Sequence, residues 1–169
     1  MEFSVKNVVY YIKWLAVFLL FVAADQLTKQ LAVIKLKGNS GITIIKSVFK
    51  LFYLENHGAA FGIFQDQRIP LLIITVIVLL FIGYIFNKIP YEPKFLAIKW
   101  ILVILAAGAV GNMIDRIING YVVDFLYFQL INFPVFNVAD CYVVVGAILA
   151  VIFIIFYYDD NDLDRIIKR

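Results

Sequence analysis

Asn112, Asp115, Arg116, Asp124, Asn137 and Asp140 stand at the edges of segments otherwise apolar enough for lipid. An ionisable group at such an edge costs free energy, which makes it a functional candidate by default. Two aspartates in a shared, partly desolvated site cannot both ionise easily, so the pair holds one proton. The ionised member can activate water while the protonated member donates to a carbonyl or a leaving amine. That is peptide hydrolysis without a metal or a covalent intermediate. Other chemistries lack parts. The chain has one histidine, His57, and one cysteine, Cys141. There is no serine–histidine arrangement and no HExxH, and one His with one Cys is too few ligands for a metal.

These groups need elements to hold them, and composition says which kind. The 169 residues are 64% hydrophobic with a net charge of +3. The mean hydropathy is +0.94. Soluble domains are nearer about 45–50% apolar, so this chain uses lipid as part of its solvent. The small, scattered charge offers no basic cluster for nucleic acid. A single cysteine excludes an internal disulfide, and Cys141 reads as a small buried side chain.

The hydropathy pattern predicts an α-helical integral membrane protein. It has four transmembrane helices, at about 12–34, 69–87, 95–118 and 137–158, in one membrane-embedded domain covering 1–169. Segments 35–68 and 119–136 lie outside the bilayer. Trp14–Ala24 has the flanks of a secretory signal, but helix-forming sequence continues through Gln30 and beyond. Asp25 and Lys29 are four apart, acid first, so they share a helix face and can neutralise each other. Gly38-Asn39-Ser40-Gly41 is a turn signal, and Ile42–Ile45 and Val48–Leu54 favour strands. They predict a small β cradle, ending in the small-residue run Asn56-His57-Gly58-Ala59-Ala60-Phe61-Gly62. His57 reads as an exposed loop residue.

Lys99, near the start of the third span, is expected to snorkel toward headgroups. Ala107 and Gly111 have small-xxx-small spacing for close helix contact. Asn112, Asp115 and Arg116 share one helix face, and Gly120 suits a helix end. Residues 121–135 are too short to span. Their aromatics suit the lipid–water interface, which leaves Asp124 in a loop. Asn137 then looks like an N-cap with Asp140 at N3. A helix N-terminus favours negative charge, so Asp140 is expected to be the ionised base and Asp124 the acid, titrating as one unit.

Four spans put both termini on one side and both larger loops on the other. Asn56, Asn112, Arg116, Asp124, Asn137 and Asp140 then reach one membrane face. The basic charges divide eight against seven between the sides, which decides nothing. The short connector at 87–94, with Lys88 and Lys94, favours cytoplasmic termini. A transporter would need acids near the midplane, where only Asp25 could lie. An assembly subunit does not account for two loop-adjacent aspartates with carboxamide neighbours.

Five motifs, in order and at fitting spacing, resemble those of the lipoprotein signal peptidases (signal peptidase II). They are Asp25-Gln26-Leu27-Thr28-Lys29, the Asn56–Gly62 run, Gly111-Asn112-Met113-Ile114-Asp115-Arg116, Gly120-Tyr121-Val122-Val123-Asp124-Phe125 and Phe136-Asn137-Val138-Ala139-Asp140. The resemblance covers nearly the whole chain. It implies a multi-pass aspartyl endopeptidase of the bacterial plasma (inner) membrane. Its termini would be cytoplasmic, and its β cradle and active site extracytoplasmic. Such an enzyme removes the signal peptide of prolipoproteins just before a diacylglyceryl-modified cysteine. By this similarity Asp124 and Asp140 are the catalytic pair. Asn56, Gly58, Asn112, Arg116 and Asn137 bind substrate or brace the site, and Asp25, Lys29 and Asp115 support it. Sensitivity to globomycin-type inhibitors is implied. The chain is expected to act as a monomer among membrane lipid, with no metal, cofactor or nucleic acid.

Overall fold

The computed structural model describes residues 5–58 and 64–168. The Ala59–Gly62 part of the small-residue run therefore lies outside the described residues. Helix α1 is Val5–Leu36. Its 32 residues span about 48 Å at 1.5 Å per residue, well beyond a hydrocarbon core of about 30 Å. Val22-Ala23-Ala24 sits inside this helix rather than at its end. Gly38 and Gly41 then turn the chain with φ of 79° and 86°, a region that favours glycine.

The hairpin follows, with β1 (Ile42–Ile45) antiparallel to β2 (Phe49–Asn56). Helix α2 is Arg68–Lys88, with Pro70 in its first turn, where a missing N–H costs nothing. A short 3₁₀ turn at Pro93–Phe95 leads into α3, Leu96–Ile118. Gly120, at φ 86°, turns the chain out of that helix.

Residues 122–128 then form a third strand, β3 (Val122–Phe128), antiparallel to β2. The expected interfacial loop is thus a strand, and Asp124 lies on it opposite Leu54. β-branched and aromatic residues suit both a membrane interface and a sheet. The deciding partner, β2, lies far back in the chain. The sheet order is β1-β2-β3. Val122, Val123, Asp124 and Phe125 are all buried. Val123 and Phe125 pack on Ala32 and Leu36 of α1, while Asp124 faces the other way.

Helix α4 is Val138–Phe156, and the charged tail adds α5, Asp160–Ile167. Ile166 of α5 joins a core with Ile89, Phe95, Ile98 and Tyr158. Arg165 also pairs with Glu92, and Lys94 with Asp162. Among the described residues, α1, α2, α3 with its leading turn, and α4 are long and apolar enough to cross a membrane. α3 is central: it packs on α1, α2 and α4, with Ala107, Gly108 and Gly111 buried at the crossings.

Lys99 does not snorkel outward. It is 3% exposed, with Nζ 4.5 Å from the Tyr91 ring centroid and 4.8 Å from that of Tyr10. Aromatic faces from α1 and the α2–α3 connector attract the ammonium inward through their quadrupoles.

Candidate functional site

The site forms where the last pairs of the sheet meet the start of α4 and the last turns of α3. In β2, Asn56 pairs with Val122 and Leu54 with Asp124. Paired and alternate residues share a sheet face, so Asn56 reaches Asp124 diagonally. Its Nδ2 donates to Asp124 Oδ2 at 2.8 Å, and its Oδ1 accepts from Gly58 N at 2.9 Å.

Asp140 is placed by helix capping. Asn137 Oδ1 accepts from Asp140 N at 3.0 Å, and Asp140 Oδ2 accepts from Asn137 N at 3.0 Å. This is the reciprocal box expected from the spacing. It leaves Asn137 Nδ2 free to donate to Asp124 Oδ1 at 2.6 Å. The same nitrogen lies 3.1 Å from Asn112 Oδ1, and Asn112 Nδ2 donates to Asp140 Oδ1 at 2.8 Å. Two carboxamides thus bridge the two carboxylates. Asp124 is 1% exposed, and Asp140 is half-buried.

A buried ionic cluster lies behind these amides. Lys29 Nζ is 3.0 Å from Asp25 Oδ2, 3.1 Å from Asp115 Oδ2 and 2.8 Å from Asn112 Oδ1. Asp25 Oδ1 accepts from Ala139 N at 2.9 Å, placing a carboxylate at the positive end of α4. Asp115 Oδ2 accepts from Val123 N at 3.0 Å and ties α3 to β3. Buried charges need such pairing and hydrogen bonds to offset their lost hydration.

Arg116, predicted beside Asn112, lines the same groove. It donates to Gly58 O at 3.1 Å and secures the start of the small-residue run. His57 is exposed, its Nδ1 3.8 Å from an Asp66 oxygen. Cys141 is half-buried on a groove wall. Gln26 has a role that no spacing in the sequence assigned. Its Nε2 lies 3.0 Å from Asp115 Oδ1 and 3.1 Å from Gly111 O, binding α1 to α3. A carboxamide within an apolar span was the available signal.

Burial, reinforced by the Asp140 charge, pushes the Asp124 carboxyl up to about 7. The hydrogen bonds from Asn56 and Asn137 and the Lys29 cation lower it only in part. Asp124 is therefore poised to hold or release a proton near neutrality. Both carboxylates open on a groove of about 1450 Å³. Apolar side chains from the sheet and α4, including Phe52, Leu54, Phe136 and Val144, line it. Among the described residues no group of three His, Cys, Asp or Glu side chains could hold a metal.

Known proteins share this architecture. The family model described as Signal peptidase (SPase) II matches residues 17–156. The lipoprotein signal peptidase of Clostridium tetani is 45% identical over 144 residues, covering 82% of this chain and 90% of the relative. That of Halothermothrix orenii is 41% identical, covering 82% and 92%. A solved bacterial membrane enzyme superposes with a TM-score of 0.74 at 30% identity, covering 84% of this chain and 87% of that one. Four apolar helices, the small sheet and this match over most of the length lead to one conclusion: the chain belongs to the lipoprotein signal peptidase (signal peptidase II) family.

Proposed function

We propose that this chain is a membrane aspartyl endopeptidase. It removes the signal peptide of prolipoproteins, cutting just before a diacylglyceryl-modified cysteine. Family membership supports the reaction. The observation that carries the catalytic assignment is the unbroken chain Asp124–Asn137–Asn112–Asp140 at the groove.

In this reading Asp140 is the base and Asp124 the acid. Each oxygen of both carboxyl groups already accepts one hydrogen bond from the protein, leaving a second position on each for the Asp124 proton, water or substrate. Asp140 takes a proton from the attacking water as its oxygen bonds to the scissile carbonyl carbon. Asp124 gives its proton to the carbonyl oxygen, forming a gem-diol. Asp140 then protonates the leaving amine, Asp124 recovers its proton from a gem-diol hydroxyl, and the C–N bond breaks. Acid and base end in their starting states. Arg116 and Gly58 brace the segment leading into the small-residue run.

The apolar walls suit acyl chains and an apolar signal segment, since burying such surface is worth about 25 cal/mol per Å². A globomycin-type cyclic peptide would fill the same groove and compete with substrate. One chain supplies the whole site, so the monomer suffices. The site lies on the extracytoplasmic side and both termini in the cytoplasm. Lys88 and Lys94 support this orientation: they flank the short connector at the end of the molecule shared with the C-terminus, where Lys88 Nζ reaches Ile167 O at 2.7 Å.

The test is incubation of purified protein with a diacylglyceryl-modified prolipoprotein, read by gel shift. Asp124→Asn and Asp140→Asn should each lower turnover about 100-fold or more while keeping a cooperative melt. Full activity in either variant overturns the assignment.

A further inference from the structure

Three carboxamides face the two aspartates, and their orientations have different origins. Asn137 is set by a main-chain donor, Asp140 N, and Asn56 by another, Gly58 N. Asn112 is instead set by side chains. Its Oδ1 takes Lys29 Nζ at 2.8 Å and Asn137 Nδ2 at 3.1 Å. An ammonium group only donates. Turning the amide over would set its NH₂ against that ammonium and its oxygen against the Asp140 carboxylate. Lys29 cannot move away, because Asp25 Oδ2 and Asp115 Oδ2 hold it and its side chain is 3% exposed. Those carboxylates are fixed in turn by Ala139 N and Val123 N.

We propose, building on the acid–base reading above, that Lys29 is a positioning residue for the reaction. By holding Asn112 Oδ1 it aims the Asn112 N–H at the Asp140 carboxylate. It acts through Asn112 and touches neither the water nor the peptide. Asp25 and Asp115 face it from α1 and α3. The charged and titratable groups around Asp140 are Asp124 from β3, Arg116 from α3 and Cys141 from its own helix.

The experiment measures kcat and KM for the full chain and a diacylglyceryl-modified prolipoprotein, with the folded fraction read from melting. Lys29→Met should lower kcat about 100-fold, the scale of a misplaced reacting group, with KM little changed. Lys29→Gln keeps a donor for Asn112 Oδ1, so it should retain more kcat than Lys29→Met. Adding Asn112→Ala to Lys29→Met should cost nothing further.

A loss explained by folded fraction, or equal kcat in Lys29→Gln and Lys29→Met, overturns the proposal; so do losses that multiply between Lys29→Met and Asn112→Ala. If Lys29→Met does not fold, Lys29→Met/Asp115→Asn removes one charge of each sign and is read against Asp115→Asn. Equal kcat per folded molecule there overturns it equally. Activity retained in Asp124→Asn or Asp140→Asn would instead defeat the underlying acid–base reading. Inactive aspartate variants beside a Lys29→Met protein with unchanged kcat per folded molecule defeat only the positioning role.

Discussion

Asn137 Nδ2 lies 2.6 Å from Asp124 Oδ1, although the residue is also the N-cap of α4. One side chain thereby starts a transmembrane helix with its oxygen and holds a strand carboxyl with its nitrogen. Asn137→Asp would keep the cap but replace that donor with a like charge, whereas Asn137→Ala loses both functions. Removing the cap costs about 1 kcal/mol, so only the alanine variant should lose its cap stability. Both should lose cleavage. Melting and gel-shift assays on the two variants check the separation.

The pH dependence follows from Asp124. Its carboxyl is raised from 3.8 to about 7 in the fold. Between those values the folded state binds more protons than the unfolded chain, so this group's contribution to stability falls as pH rises through that window. Asp124→Asn, which has no proton to lose, should gain Tm relative to the parent between about pH 4 and pH 8. A constant Tm difference across that range would refute this. Cleavage by the parent should fall above about pH 7, where the acid has lost its proton.

Gly111 is required by contact rather than by conformation. A Cβ there would overlap the Asp25 carboxylate and stand 3.3 Å from Ala139 Cβ. Gly111→Ala should therefore cost about 1–3 kcal/mol by overpacking. It should also lower turnover, because Asp25 holds both Lys29 and the start of α4. Melting together with activity per folded molecule tests this. Gly83, which has open space around it, is the control and should tolerate alanine.

The C-terminal helix should matter for stability alone. Ile166 is buried in the core beneath α5, at the opposite end from the two aspartates. Ile166→Ala should cost about 2–5 kcal/mol and leave activity per folded molecule unchanged. A fall in specific activity would show coupling between the two ends.

Much was legible without coordinates because it is local. Four apolar stretches predict membrane helices on hydropathy alone, since lipid requires every backbone group to be bonded within the segment. Acid-first i,i+4 spacing anticipates the Asp25–Lys29 pair, and an Asn three residues before Asp anticipates the capping box. The Ile42–Ile45 and Val48–Leu54 runs anticipate the hairpin.

Only the tertiary structure decided the rest. Residues 122–128 are a strand because β2 offers its edge, a partner supplied by another region of the chain. Asn56 meets Asp124 across 68 residues through that register, and a slip of one would turn it to the other face. Lys99 points inward because Tyr10 and Tyr91 converge on it. Gln26 joins two helices whose crossing no local pattern encodes. Residue types and short spacings determined which groups could react. Strand register and helix crossing, sums of many non-local contacts, decided which of them touch.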